Sequence, residues 1–245
     1  LSKQQIVQAE LKDMVYVAGG SFIMGTVDPQ QNPHGRVTLS SYYLDRYATP
    51  WYQFKSYMNL KHKKLNKLID NPFHENNGLY PAEATYQQAQ QFCHWVGRQA
   101  GLPMQLVTDA QWEYAARSRG RDVKYATNNG RIEPYINFPG PKSYYFEVKT
   151  PERTTGFSMP IPVNRFPPNP LGMYLMSGNG MEWTADHYGP VPNRPVKDPQ
   201  GPKTGKYYTN RGSTVSDTKA ALTPNSSKET NEIQQPSLLI FNKTF

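Results

Sequence analysis

A chain of 245 residues with a formal charge of +8 is long enough to bury a sizeable core as one large domain or two small ones. Hydrophobic residues make up only 37% while aromatics reach 13%, alongside 22 Pro and 18 Gly, which excludes a helical bundle and describes a loop-rich globule with an aromatic core. No apolar run of about 18 residues offers a membrane-spanning helix. The basic residues are dispersed apart from 61-KHKKLNK-67, with no groove-reading motif to suggest nucleic acid as the partner.

The first coherent block, 14-MVYVAGGSFIMGT-26, sets Val15, Val17, Phe22 and Met24 at strand spacing on either side of Gly19-Gly20 and predicts a hairpin. Residues 37–59 predict an alternating strand, then a helix starting at Thr49-Pro50 with Tyr52, Phe54, Tyr57 and Met58 mostly on one face. A polar, basic connection ends in the turn-rich 70-DNPFHENNGLYP-81. The strongest helix signal follows at 85-TYQQAQQFCHWVGRQAG-101. Thr85 is its N-cap, Ala89, Phe92, Cys93 and Val96 form one stripe, and Gly101 is the stop. A second helix is predicted over 108–120, capped by Thr108 or Asp109, with Trp112, Ala115 and Ala116 inward. Residues 121–170 are rich in Tyr, Pro and Asn with weak periodicity and predict long ordered loops. Short strands are predicted at 172–177, 206–211 and 237–241. No repeat or linker interrupts the chain, so it reads as a single domain over 1–245 with residues 1–13 as an N-terminal extension.

One cysteine, Cys93, allows no internal disulfide, which suits a bacterial envelope protein and a cytoplasmic one alike. The chain begins at Leu1 rather than Met. A removed signal peptide, a lipoprotein leader carrying a lipid anchor, and a simple boundary all fit that start. The five histidines, His34, His62, His74, His94 and His187, show no HxxxH or HExxH spacing. Asp186-His187 with Ser216 has the residue types of a hydrolytic triad, but no GxSxG elbow supports it, and adjacent residues seldom converge on one site.

The blocks MVYVAGGSFIMGT, YPAEATYQQAQQFCHWVGRQAG, LVTDAQWEYAARSRG, PVNRFPPNPLGMYLMSGNGMEWTADHYG and YYTNRGSTVSD resemble, in this order, the formylglycine-generating enzyme (sulfatase-modifying factor) family. The resemblance implies an α+β, loop-rich fold related to C-type lectins, with few helices and short, mostly antiparallel strands. In enzymatic members two cysteines, five residues apart after an RGGS motif, bind copper and oxidise a sulfatase cysteine. A soft thiolate pair suits Cu(I). Here the segment reads 211-RGSTVSDTKAALT-223, and the two positions fall on Ser216 and Ala221. The resemblance therefore implies no copper and no copper-dependent formylglycine formation, with Cys93 a buried small hydrophobe.

The same resemblance implies a structural calcium ion in the GNGMEW loop. Gly178 and Gly180 offer carbonyls and Glu182 its carboxylate, while Leu175 stands where many members carry Asn or Asp. Hard oxygens gathered at a glycine turn are what Ca²⁺ requires. The competing expectation is that Glu182 caps backbone amides and Trp183 fills the core. A second family calcium site is matched by Asn137-Phe138 and Phe157, but its acidic position is Thr155. The family's peptide groove falls on 207-YYTNRGSTVSD-217, which makes Tyr207, Tyr208, Arg211 and Ser216 candidate partner contacts; the alternative is that these tyrosines belong to the core or a strand face. The expected function is thus a non-catalytic binding or accessory protein. Its expected partner is a protein or peptide in the bacterial envelope, where it neutralises or assists an envelope-acting enzyme. The alternative is an oxidoreductase-type enzyme of the same fold acting on a small molecule or peptide, because some members lacking the cysteine pair are associated with small-molecule oxidation.

Overall fold

The computed structural model describes residues 1–25, 35–63, 78–139, 145–149, 154–158, 160–190, 193–213, 228–231 and 240–245. Its helices are α1 (Lys3–Lys12), α2 (Trp51–Leu60), α3 (Tyr86–Ala100) and α4 (Asp109–Ala116). One sheet runs β1 (Met14–Val17), β4 (Tyr42–Asp45), β13 (Lys243–Thr244), β5 (Gln105–Leu106). A second runs β11 (Lys228–Asn231), β10 (Tyr207–Ser213), β8 (Gly180–His187), β12 (Ile240–Phe241). A third joins β2 (Gly20–Ile23), β3 (Arg36–Leu39) and β9 (Val196–Lys197), and β6 (Tyr145–Lys149) pairs with β7 (Thr154–Ser158). The architecture is the α+β arrangement of short, mostly antiparallel strands that the resemblance implied.

Local chemistry explains the helices. Thr85 and Thr108 each close a full capping box, with Gln88 and Gln111 returning the bond, so two orphan N–H donors are satisfied at each start. Gly101 ends α3 in the left-handed conformation. Residues 1–13, read as an extension, form α1, capped by Ser2, and bury Ile6 and Glu10 against α2 and α3.

Three local readings are corrected. The 14–26 block is not a hairpin: β1 pairs with β4 and β2 with β3. The glycine pair serves close approach instead, since a Cβ on Gly19 would stand 2.4 Å from the Leu39 carbonyl oxygen and one on Gly20 2.7 Å from the Tyr114 hydroxyl. The chain can therefore cross between sheets close against the β3 backbone and the Tyr114 side chain. Residues 172–177 are irregular rather than a strand, because Asn169 folds the chain back by accepting from the Leu171 and Met173 N–H groups. The strand begins at Gly180, within the stretch read as a loop. Finally, the 121–170 region holds the β6–β7 hairpin besides its loops.

The larger core packs α2 and α3 against β8 and β12. Phe54, Phe92 and Phe241 meet edge to face at 5.5–5.8 Å. Each buried ring contributes about 1.5–3 kcal/mol and each pair about 0.5–1.5 kcal/mol more. Lys243 threads into this core fully buried, contacting Glu10 and donating to Asp45 at 2.6 Å and Thr49 at 3.1 Å. One ammonium thus ties α1, β4 and the start of α2 to β13. Two carboxylates face that single cation, and burial raises the Glu10 carboxyl to about 8.

Candidate functional site

Strand β8 organises the site, its alternation sending Trp183 to one face and Glu182, Thr184 and Asp186 to the other. Trp183 is 1% exposed and donates from its indole to the Ala84 carbonyl at 2.9 Å. Thr184 donates to the Thr209 carbonyl at 2.9 Å, and Asp186 Oδ2 accepts from the Asp109 N–H at 2.7 Å, at the start of α4.

The turn ahead of β8 has positive φ at three positions. Leu175 has φ 50°, Gly178 φ 89° and Gly180 φ 146°. A Cβ on Gly178 would stand 2.1 Å from the Phe138 ring, so only glycine lets the turn lie against that side chain. Asn179 clamps the turn to its neighbour, accepting from the Ile161 N–H at 2.9 Å and donating to its carbonyl at 3.0 Å. Leu175 occupies a left-handed position that Asn or Asp would fill with less strain.

Glu182 is 3% exposed. Burial raises its carboxyl to about 8, with the Trp112 indole opposing. Neither its Oε2 nor Trp112 Nε1 has a well-formed hydrogen bond among the described residues, and no backbone amide there caps it. The expected core role of Trp183 is met; the expected capping role of Glu182 is not. A desolvated carboxylate oxygen without a donor is a group that a bound cation would satisfy.

The candidate partner residues separate. Arg211 is 1% exposed, and lies opposite Glu182 in the β10–β8 pairing. Its guanidinium pairs with Asp109 and donates to Glu113 at 3.1 Å. Glu113 also accepts from Arg117 at 2.8 Å and from the Gly25 N–H at 2.7 Å. Arg211 is therefore a structural ion-pair residue rather than a surface contact. Its place on an inward strand face, opposite a helix carrying DAQWE, decides this. Tyr208 is half-buried, stacked between Tyr86 at 3.5 Å and His187 at 4.6 Å. Tyr207 is half-buried, with the Lys206 ammonium 5.3 Å from its ring. Ser216 and Ala221 lie outside the described residues.

Asn137 orders the loop around the second calcium-type motif, accepting from the Glu133 N–H and donating to Asn128 and Asn129. The side chains of Thr155 and Phe157 are not described. Beside this loop is a surface that sequence reasoning missed. Tyr135 is 59% exposed and Ile136 67% exposed, on the edge of a cavity of about 440 Å³ shared with Tyr80, Arg165 and Phe166. Exposed large apolar residues beside a concavity are the relevant signal, and exposure is not legible in a single sequence.

Cys93 sits fully buried in α3, and desolvation pushes its thiol up to about 12. It is therefore a protonated packing group rather than a thiolate nucleophile or soft-metal ligand.

The order of these elements, with an irregular turn feeding a central strand beside a capped helix, defines a sulfatase-modifying-factor type of domain. The chain belongs to that family: its model, described as "Sulfatase-modifying factor enzyme 1-like domain", matches residues 1–238. Among curated relatives, the chain is 29% identical over 228 residues to the "Serine/threonine-protein kinase pkn1" of Chlamydia pneumoniae, covering 84% of this chain and 33% of that protein. It is 25% identical to the formylglycine-generating enzyme of Mus musculus, covering 82% of this chain and 66% of that one. It is 24% identical to the "Inactive C-alpha-formylglycine-generating enzyme 2" of Mus musculus, over 76% and 73% of the two chains. The chain thus spans about a third of the kinase relative's length. In fold it is similar to the Treponema denticola variable protein 1, with a TM-score of 0.74, 18% identity and 94% of each chain covered. Among the described residues, no helix is long and apolar enough to cross a membrane.

Proposed function

We propose that this domain is a non-catalytic, formylglycine-generating-enzyme-like binding or accessory module that engages a protein or peptide partner in the bacterial envelope, neutralising or assisting an enzyme that acts there. The observation that carries this reading is Cys93. The chain's single cysteine is a core residue whose thiol stays protonated at physiological pH, whereas copper-dependent cysteine oxidation needs a pair of accessible soft thiolates. A relative of similar extent bears the name of an inactive enzyme, which supports the same direction. The reading has two separate candidate contact regions, Tyr207 at the start of β10 and Tyr135 with Ile136 beside the 440 Å³ cavity, since rigid aromatic and apolar side chains give contact area at low entropic cost.

In the same reading the turn before β8 holds a calcium ion. Leu175, Gly178 and Gly180 would contribute carbonyl oxygens and Glu182 its buried carboxylate. The ion would supply a positive charge beside a carboxyl whose Oε2 has no hydrogen-bond partner among the described residues, fixing the turn without taking part in chemistry.

Two measurements test the proposal. Recovery of one stable protein partner from native extract, weakened by Tyr207→Ala or Ile136→Ser while the fold is kept, is the expected result. Failure to recover any partner, or conversion of a CxPxR-type peptide to the aldehyde by the purified chain, overturns it. For the ion, calorimetric titration with Ca²⁺ is expected to show saturable binding that Glu182→Gln abolishes. Melting should rise when calcium is in hundredfold excess over Kd, by an amount equivalent to about 2.7 kcal/mol.

A further inference from the structure

At the end of β8 remote from the glycine turn lies an open cavity of about 410 Å³, framed by the start of α4, the end of β8, Gly189, Pro190 and residues 193–202. Its volume is in the range of small-molecule sites. In its wall is Asp186, only 4% exposed. Oδ2 is taken up by the Asp109 N–H. Among the described residues, no other residue donates a hydrogen bond to Oδ1. Room at that oxygen is kept by Gly201, at φ 68°, where an added Cβ would stand 2.9 Å from Oδ1. His187, also in the wall, has a buried Nδ1 with no partner among the described residues. Arg194 and Lys197 line the cavity and are exposed, while Met24, Val196 and Pro202 provide apolar wall.

We propose that this cavity binds a small zwitterion of amino-acid type, its ammonium or guanidinium group on Asp186 and its carboxylate toward Arg194 and Lys197. A buried carboxylate with an open oxygen is costly unless protonated or paired with a donor, and a cationic N–H group completes it. Two exposed cations would disfavour a simple cation but match a ligand that carries its own carboxylate. The apolar wall accommodates the aliphatic carbons between the two ends. The charged groups acting on Asp186 are Asp109 on α4 and Arg211 on β10; the other titratable residues facing the cavity are His187 on β8, Arg194 and Lys197. Burial and then Asp109 raise its carboxyl to about 7, against the Asp109 N–H and Arg211, so ionisation, and with it amine binding, strengthens from pH 6 to pH 8. The site is separate from Tyr135, Ile136 and the calcium turn, and it adjoins Tyr207, whose carbonyl accepts from the Tyr188 N–H at 2.8 Å.

The test is calorimetry or ligand-observed NMR on the whole chain at pH 8 with three probes: L-arginine, agmatine as the same cation without a carboxylate, and glutarate as a pure dianion. Saturable arginine binding is expected, several-fold tighter than agmatine, with no glutarate binding. Asp186→Asn should weaken arginine at least tenfold. Because that change also touches the start of α4, the exposed double variant Arg194→Ser/Lys197→Ser is the second arm, expected to reduce arginine to the level of agmatine with an unchanged melting curve. Three results would each overturn the proposal: no saturable signal from arginine below about 10 mM, a concentration corresponding to negligible affinity; glutarate competing equally; or an unaltered arginine-to-agmatine ratio in the double variant.

Discussion

Replacing Arg211 by Met separates two accounts of this residue with one number. As a partner contact on an exposed strand, its loss would leave stability within about 0.5 kcal/mol of the parent. In the structure its guanidinium is 1% exposed and bridges Asp109 to Glu113. Removing one member of a buried ion pair costs about 3–5 kcal/mol, because the remaining charge is left desolvated. The lower end applies here, since Glu113 keeps Arg117 and the Gly25 N–H and the Asp109 side chain is 15% exposed. The expected loss is therefore about 3 kcal/mol, or a urea midpoint lowered by about 1 M at an m-value of about 3 kcal/mol/M. Trp112, whose ring lies 5.9 Å from the guanidinium carbon, contributes to a fluorescence readout. The loss should also depend on pH. Burial already holds the Glu113 carboxyl above its ordinary value, with Arg211 the largest opposing influence. Without Arg211 it rises further. A carboxyl raised by folding contributes stability that is present below its unfolded pKa and fades as pH climbs through the folded one. The deficit of Arg211→Met must then be smaller at pH 5 than at pH 8, and Glu113→Gln should recover part of it at pH 8. A variant as stable as the parent that loses only partner binding would refute this reasoning.

Other outcomes follow from the same packing. Leu175→Asn exchanges left-handed strain of about 1 kcal/mol for lost contact with Ile161 and Phe166, so melting without calcium should hardly move, while the calcium-induced rise should exceed the parent's; an equal rise would remove the ion from this turn. Lys243→Met leaves Asp45 and Glu10 without their ammonium and should lower stability by about 3 kcal/mol in urea melts, whereas a neutral result would show that β13 does not depend on that anchor. The folded chain should react with a water-soluble disulfide reagent only as fast as it unfolds, since Cys93 is fully buried and protonated; rapid labelling under native conditions would contradict this. The Asp186 carboxyl, at about 7 in the fold, withdraws stability as pH rises from 5 to 8, and Asp186→Asn should flatten that slope in pH-dependent melting.

Helix positions were legible because their determinants are local. Thr85, Thr108 and their glutamines lie within four residues of one another, and the Ala89–Phe92–Cys93–Val96 stripe has its own period. Family membership was legible for a similar reason, since distinctive blocks such as TDAQWEYAAR and SGNGMEW survive as contiguous text. The backbone of the turn could also be anticipated, because Gly178 and Gly180 advertise positive φ. Helix α1 was missed although its Ser2–Gln5 capping box is local; the failures of strand pairing and exposure share another source. Whether Gly19-Gly20 turns a hairpin or crosses between sheets depends on Leu39 and Tyr114, far along the chain. Whether Arg211 meets solvent or Glu113 depends on a helix 98 residues earlier. The sequence by itself thus determined α2, α3 and α4, the family and the presence of a single thiol, all properties of short segments. Only the tertiary structure decided strand pairing, the inward face of Arg211, the exposure of Tyr135 and Ile136, and the cavity at Asp186. Each of these depends on which residues distant in sequence share a low-dielectric interior or are left outside it.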